Sequence, residues 1–420
     1  MIHLRLWANL RPMGWFGHEG VDYFFEYDTQ WLEQPGGYAL APQFPLQLGR
    51  FRGSVVRNFF ENLLPEGTVL EDVLTAIAQN RALRNPNTLE LLGVLGQDLP
   101  GVLSLLPEDA APQWTQQYRP LPFETLSERL RNQQPLLVSN DKATMSLAGA
   151  QEKVGLRFDA KRGTLTESVG LSPSTHILKP DTRQTRYQPS AINEYACMKL
   201  ARVLKLPVPD VWLLRVPEAV YVVQRYDRVD IAGNIVGLHQ FDGCQLLGHG
   251  AGWKYQRQGE LVSIPKLVAA LRQLPVRGVD LLQVQQWAMF NYLIGNADAH
   301  AKNISVLVDD TGYRLAPFYD LLCVRVYGDT GLALYIGDED TFDAVGRHSW
   351  EALCADCGFR LPETLKGFRA MAKKLLPVWQ KVLVQIHKTQ KPTEAESALL
   401  QRMTSVFEKH IESALSMTEG

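Results

Sequence analysis

The chain has 420 residues, more than one ordinary hydrophobic core organises, so two or three domains are expected. A hydrophobic share of 45% and a charged share of 21% exclude a disordered or fibrous chain. The net charge of −2, on basic residues that read as dispersed, sets aside a chain gripping nucleic acid by itself, and no apolar run nears the ~20 residues of a membrane helix. The opening MIHLRLWANL lacks the pattern of a secretory signal, so a cytoplasmic address is expected.

In chain order, Ile2–Trp7 and Tyr23–Tyr27 read as strands joined through Arg11-Pro12-Met13-Gly14. Phe51–Leu64 reads as a helix running into Pro65-Glu66-Gly67, and a further helix precedes Leu99-Pro100-Gly101. Polar stretches at Glu108–Tyr118 and Arg131–Gln134 are linker candidates. Val154–Phe158 and His176–Leu178 read as strands, Asn193–Leu204 as a helix stopped by Leu206-Pro207-Val208-Pro209, and Val211–Val216 with Ala219–Val223 as a strand pair. Beyond Leu238 the texture is mostly helical. Asp280–Ile294 carries apolar residues at helical spacing, and two closing helices span about Thr364–His387 and Thr393–Met417, the second with a Thr393/Glu396 capping box.

Five cysteines, Cys197, Cys244, Cys323, Cys354 and Cys357, are too few and too odd in number for a disulfide framework. The lone Cys354-Ala-Asp-Cys357 lacks a second pair for zinc, so two ordinary thiols near a helix end are expected.

Residues 295–304, GNADAHAKNI, put Asp298, His300, Lys302 and Asn303 between a helix and the strand Ile304–Val308. That strand turns through Asp309-Asp310-Thr311-Gly312 into Tyr313–Leu315 and on to Phe318-Tyr319-Asp320. Asp298 and Asp320 therefore flank one hairpin. Phosphoryl transfer needs hard oxygen ligands for Mg²⁺ and a carboxylate facing the acceptor hydroxyl. Asp followed five residues later by Asn is the catalytic-loop spacing of protein kinases. The pattern makes Asp298 the base and Asn303 and Asp320 the metal ligands; the plainer alternative is that Asp298 and His300 cap a turn. Upstream, Ser146–Lys153 (SLAGAQEK) offers small residues for phosphate, though with one glycine it is no G-x-G-x-x-G loop. Lys179 ends an apolar strand fifteen residues before Glu194 at a helix start, an order that matches a kinase lysine–glutamate pair; alone, Lys179 would read as a solvated surface lysine.

Arg57–Pro65 (RNFFENLLP), Ser146–Lys153, Gly295–Asn303 and Pro317–Asp320 resemble the HipA family of bacterial serine/threonine kinases, toxins of type II toxin–antitoxin modules; Asn193-Glu194-Tyr195 and Gln224–Arg228 add to the match. The resemblance covers roughly residues 1–330. It implies an α+β, two-lobed protein-kinase-like fold with a β-rich N-lobe, an extra N-terminal α/β subdomain and an all-α C-lobe, divided at 1–107, 108–237 and 238–420. It implies ATP and Mg²⁺, with adenine at the hinge Gln224, Arg225 and Tyr226. Phosphates would lie near Ala148, Gly149, Ala150, Gln151, Glu152, Lys153 and Lys179, with His300, Ala301, Lys302, Asn303, Tyr319 and Asp320 completing the nucleotide site. It further implies an aminoacyl-tRNA synthetase as substrate, a HipB-like helix-turn-helix antitoxin, operator DNA reached only through that antitoxin, and inactivating autophosphorylation at Ser146, with Thr144 as an alternative. Gln224 departs from a glutamate frequent at that place, and Gln256–Pro265 and the C-terminal helices match loosely. Rival readings are a small-molecule or lipid kinase of the aminoglycoside phosphotransferase or phosphoinositide kinase type, which lacks the first ~105 residues and SLAGAQEK, and a catalytically dead co-repressor, against which Lys179, Asp298, Asn303 and Asp320 stand intact.

Overall fold

Arg11-Pro12-Met13-Gly14, expected to join two strands, lies instead inside a third. Arg11–Glu19 pairs antiparallel with Ile2–Ala8 on one side and Asp22–Tyr27 on the other. The register shifts between Leu6 and Trp7, where Trp7 faces Pro12, a residue with no N–H to give to a ladder. Gly14 follows for a steric reason: a Cβ there would stand 2.2 Å from the Glu26 carbonyl oxygen.

The computed structural model describes residues 2–20, 22–81, 86–113, 116–133, 136, 138–139, 142–143, 151–257, 261–309 and 312–419. The chain forms two units: Met1–Pro180, Leu214–Ala251 and Leu307–Thr311 make the first, and Asp181–Leu213, Gly252–Val306 and Gly312–Gly420 the second.

The first unit holds a five-stranded antiparallel sheet in the order Arg50–Arg52, Asp22–Tyr27, Arg11–Glu19, Ile2–Ala8, Leu103–Leu106. The helix expected over Phe51–Leu64 is shorter, Ser54–Glu61, because Phe51 belongs to the edge strand. Its Phe60 stacks on Phe16 at 3.8 Å between ring centres, and both are fully buried, each worth about 1.5–3 kcal/mol of transfer free energy. Asn58 and Asn62, one turn apart, donate their side-chain amides to the carbonyls of Gly248 and His249 at 3.0 and 2.8 Å. That is why RNFFENLLP carries two asparagines. A second antiparallel sheet runs Ala219–Gln224, His176–Pro180, Val154–Asp159, Thr164–Ser168, Tyr118–Leu121. Thr164–Ser168 and Tyr118–Leu121 were not legible as strands, and the second lies at the end of an expected linker.

A buried ion cluster joins the two sheet regions of this unit. The Arg225 guanidinium donates to Asp227 at 2.8 Å and to the Ser174 hydroxyl at 2.8 Å; Arg228 donates to Asp98 at 2.5 Å. Asp227 also accepts the Gly101 N–H at 2.6 Å. Burial alone would raise the Asp98 and Asp227 carboxyls; Arg225 and Arg228 more than offset it and hold both below the usual carboxylate range.

The second unit is mainly helical, with Ala191–Val203, Ile264–Arg272, Gly278–Ile294, Arg347–Cys357, Leu361–Gln390 and Glu394–Met417 around a core containing Trp287, Tyr292, Trp350, Phe368, Trp379 and Phe407. The Thr393/Glu396 capping box is present. Gly331–Ile336 and Glu339–Thr341 add a short strand pair. Cys354 and Cys357 lie buried and free in one helix, and burial pushes the Cys357 thiol up to about 12. The cations are less dispersed than composition suggests. Seven, from Lys366 to Lys391, follow one another along Leu361–Gln390 and its cap without an intervening carboxylate. All but Arg369 are exposed. Their uneven spacing forms a stripe only once the helix is known to run 30 residues.

Candidate active site

The loop at 295–303 begins where the Gly278–Ile294 helix is forced to stop. Gly295 takes a left-handed conformation at φ 66°, and a Cβ there would meet Arg325 and Val406 at 3.0 Å and His410 at 3.2 Å. The chain then turns through Asn296 into a short 3₁₀ segment, Ala301–Asn303, held by the Ala301 N–H donating to the Lys254 carbonyl at 3.1 Å.

Within that loop Asp298 is half-buried and Asn303 is 2% exposed. The Asn303 amide nitrogen donates to the Asp298 carbonyl at 3.0 Å, and the His300 N–H donates to the same carbonyl at 2.8 Å. The pair is thereby bound together across the five-residue spacing. Among the described residues the Asn303 Oδ1 is buried without a hydrogen-bond partner. An amide oxygen with both lone pairs unused, out of water, is costly unless something occupies it. It is also the hard neutral donor that Mg²⁺ takes, so the residues fit that ion.

One oxygen of Asp298 has a partner that sequence reasoning missed. The Tyr255 hydroxyl donates to Asp298 Oδ1 at 2.7 Å, and its ring meets His300 edge-on at 5.4 Å. Tyr255 lies 43 residues upstream, beside a stretch that matched the family loosely, and no local pattern marks it.

Asp320 is half-buried with φ 57°, a left-handed backbone region that few residues besides glycine, asparagine and aspartate adopt. Its neighbours are pinned. Phe318 N–H donates to the Pro207 carbonyl at 2.7 Å, and the Tyr319 hydroxyl reaches the Lys302 carbonyl and the Ser305 hydroxyl, the latter at 2.8 Å. The segment carrying Asp320 is so tied to the one carrying Lys302 and Asn303. His300, Ala301 and Lys302 are all buried.

Lys179, in the first unit, is 6% exposed, which overturns the bland reading of a solvated surface lysine. Its ammonium stands 5.9 Å from the Tyr221 ring centre. Gln151 donates to the Pro180 carbonyl at 3.5 Å, and the Glu152 carboxylate accepts the Leu136 N–H at 3.0 Å; Lys153 is half-buried. Gln224 is exposed at a strand end, Arg225 commits its guanidinium to the ion cluster, and the Tyr226 hydroxyl donates to Gln240 at 2.6 Å. Glu194 is buried in the second unit. Thr144, Ser146, Ala148, Gly149 and Ala150 fall outside the described residues.

Residues 4–106 match the model of the HipA N-terminal domain, and residues 145–379 that of the HipA-like C-terminal domain. The serine/threonine-protein kinase toxin HipA of Shewanella oneidensis is 32% identical over 357 residues, 81% of this chain and 78% of that protein. A Sinorhizobium fredii protein, Y4mE, named as a candidate kinase, is 34% identical over 372 residues, 86% of each. The solved HipA of Shewanella oneidensis MR-1, in complex with HipB and operator DNA, superposes with a TM-score of 0.85 at 26% identity over 99% of this chain and 98% of its own. Fold and enzyme class are those of a serine/threonine protein kinase. Within that class, the chain belongs to the HipA family.

Proposed function

We propose that this protein is an ATP- and Mg²⁺-dependent kinase serving as the toxin of a type II toxin–antitoxin module in the cytoplasm. The observation that carries the reading is the Asn303 Oδ1, buried and with no partner among the described residues, on an amide bonded to the backbone of Asp298. Asn303 and Asp320 would hold Mg²⁺, which supplies charge neutralisation on the transferring phosphoryl group. Asp298 accepts the proton of the acceptor hydroxyl, and Tyr255 keeps its carboxylate aimed. Ala148–Lys153 and Lys179 serve the phosphates, the Gln224–Tyr226 backbone serves the base, and His300, Ala301, Lys302 and Tyr319 shape the site. The proposed division is an N-terminal subdomain at 1–107, a nucleotide region at 108–237 and a catalytic region at 238–420.

The proposed substrate is an aminoacyl-tRNA synthetase, and the proposed partner a HipB-like helix-turn-helix antitoxin that carries the chain to operator DNA. Support for the partner comes from the Shewanella complex, which contains HipB and operator DNA. Ser146, or Thr144 beside it, is proposed as an inactivating autophosphorylation site, since a phosphate there would compete for the donors that bind the nucleotide.

The test is transfer of radiolabel from ATP by purified protein, with and without EDTA, onto itself and onto synthetases. Transfer that needs the metal and falls by about 10²–10⁴-fold in Asp298→Asn supports the reading. Transfer by Asp298→Asn at near the wild-type rate overturns it.

A further inference from the structure

Asn296 lies inside GNADAHAKNI yet has no part in the chemistry proposed above. It is 2% exposed, and both the oxygen and the nitrogen of its carboxamide are hydrogen-bonded. Its Oδ1 accepts the Asp298 N–H at 3.1 Å. Its Nδ2 donates to the Asp320 carbonyl at 3.3 Å and to the Asn291 Oδ1 at 2.7 Å. Asn291, in the last turn of the Gly278–Ile294 helix, is anchored in turn by donating to the Trp287 carbonyl at 2.9 Å.

We infer that Asn296 is a positioning residue, an amide clamp that fixes the backbones of Asp298 and Asp320 relative to each other and to the Gly278–Ile294 helix. The inference rests on the kinase reading for its consequence in turnover, but its geometry stands independently.

The two contacts ask for opposite capacities. The Asp298 N–H can only donate and the Asp320 carbonyl can only accept, so the bridging group must accept on one side and donate on the other. Among side chains of this size, only a carboxamide does both in a fixed plane. An aspartate keeps the acceptor but opposes a charged oxygen to the Asp320 carbonyl and to Asn291. Asn291 could turn its amide to meet it only by giving up Trp287. An alanine satisfies neither side. Asp320 also holds φ 57°, a left-handed conformation that aspartate adopts less readily than glycine, so a donor on its carbonyl helps to hold it. The two segments are separated in sequence by the hairpin strands Ser305–Asp309 and Gly312–Leu315. A side chain that touches both backbones at one point removes their relative freedom.

The experiment compares wild type, Asn296→Ala and Asn296→Asp by hydrogen–deuterium exchange and by steady-state kinetics, with thermal unfolding to confirm that each is folded. Expected for Asn296→Ala is faster exchange in peptides covering both 296–303 and 318–324, with the rest of the second unit unchanged. For Asn296→Asp the rise is expected at 318–324 alone, because the Asp298 N–H keeps its acceptor. In kinetics, kcat of Asn296→Ala should fall about 10²-fold, as for a small misplacement of reacting groups, with a smaller rise in the Mg-ATP KM because Asp320 also serves the metal. If Asn296→Ala does not fold, the one-sided pattern in Asn296→Asp decides. No change at either segment, or a uniform rise across the unit in the folded variants, overturns the clamp. So does kcat near wild type with both segments loosened. If wild type transfers no phosphate at all, the kinase reading fails, and the exchange pattern still decides the clamp.

Discussion

The side chain of Asn193 and the backbone of Cys323 exchange two hydrogen bonds: Asn193 Nδ2 donates to the Cys323 carbonyl at 2.9 Å, and its Oδ1 accepts the Cys323 N–H at 2.8 Å. The pair is buried, and the arrangement imitates one rung of a β-ladder between a helix side chain and the loop three residues after Asp320. Nδ2 also reaches the Tyr327 hydroxyl at 3.1 Å.

Replacing Asn193 with Ala therefore strands a backbone donor and acceptor away from water. The expected loss is about 2–4 kcal/mol of stability, since each unsatisfied group costs about 1–3 kcal/mol and some relaxation occurs. Urea unfolding followed by tryptophan fluorescence measures it. A change below ~0.5 kcal/mol contradicts the role given to Asn193.

Tyr255→Phe deletes one hydroxyl and keeps the ring against His300. A hydrogen bond to a charged group contributes about 1.5–3 kcal/mol, so turnover should fall by about 10-fold or more while nucleotide affinity holds. Steady-state kinetics with titrated ATP separates the two. Unchanged kcat would remove Tyr255 from the site.

Lys179 is buried at the end of a strand, whereas Lys153 is half-buried. Lys179→Ala is expected to weaken Mg-ATP binding more than Lys153→Ala, by at least 10-fold, about 1.4 kcal/mol. Calorimetric titration of both variants measures this, and equal or reversed effects count against the assignment.

The cluster of Asp98, Arg225, Asp227 and Arg228 gives the first unit an acid-sensitive brace. Asp98→Asn leaves Arg225 and Arg228 short of a counter-charge and should cost about 3–5 kcal/mol. Because the Asp98 carboxyl is held below its ordinary range, its contribution is present above that range and is lost as pH falls through its folded value. Thermal midpoints of wild type and Asp98→Asn should differ most near neutrality and converge in acid.

A second pH dependence has a different window. Burial lowers His239 and His410 to about 4, His239 while it donates to the Leu40 carbonyl at 2.8 Å and His410 while it donates to the Tyr292 carbonyl at 2.7 Å. Both are neutral when folded and would take up protons on unfolding. Stability should then decline as pH drops from about 6.5 toward 4, by up to about 1.4 kcal/mol per pH unit for each. Unfolding at pH 7 and pH 5 tests this. His410→Gln, which cannot gain that charge, should flatten part of the slope.

Periodicity and capping made the long elements legible in the sequence. The helix at 394–417 pairs a repeating apolar face with its capping box, and the helix at 278–294 ends its buried run 287–294 at Gly295. The loop 295–303 was legible too, as a break between that helix and the strand Ser305–Asp309 that keeps Asp298 and Asn303 five residues apart. Tertiary structure alone decided the rest. Thr164–Ser168 is a strand because neighbours pair with it on both sides, a fact its own residues do not encode. The same limit hid Tyr255, which meets Asp298 across 43 residues, Asn193, which meets Cys323 across 130, and Asn296, which borrows Asp320 from across a hairpin. A sequence displays contacts that recur along one helix or turn; hydrogen bonds closed between distant segments have no local period, and only the folded chain brings their donors and acceptors within reach.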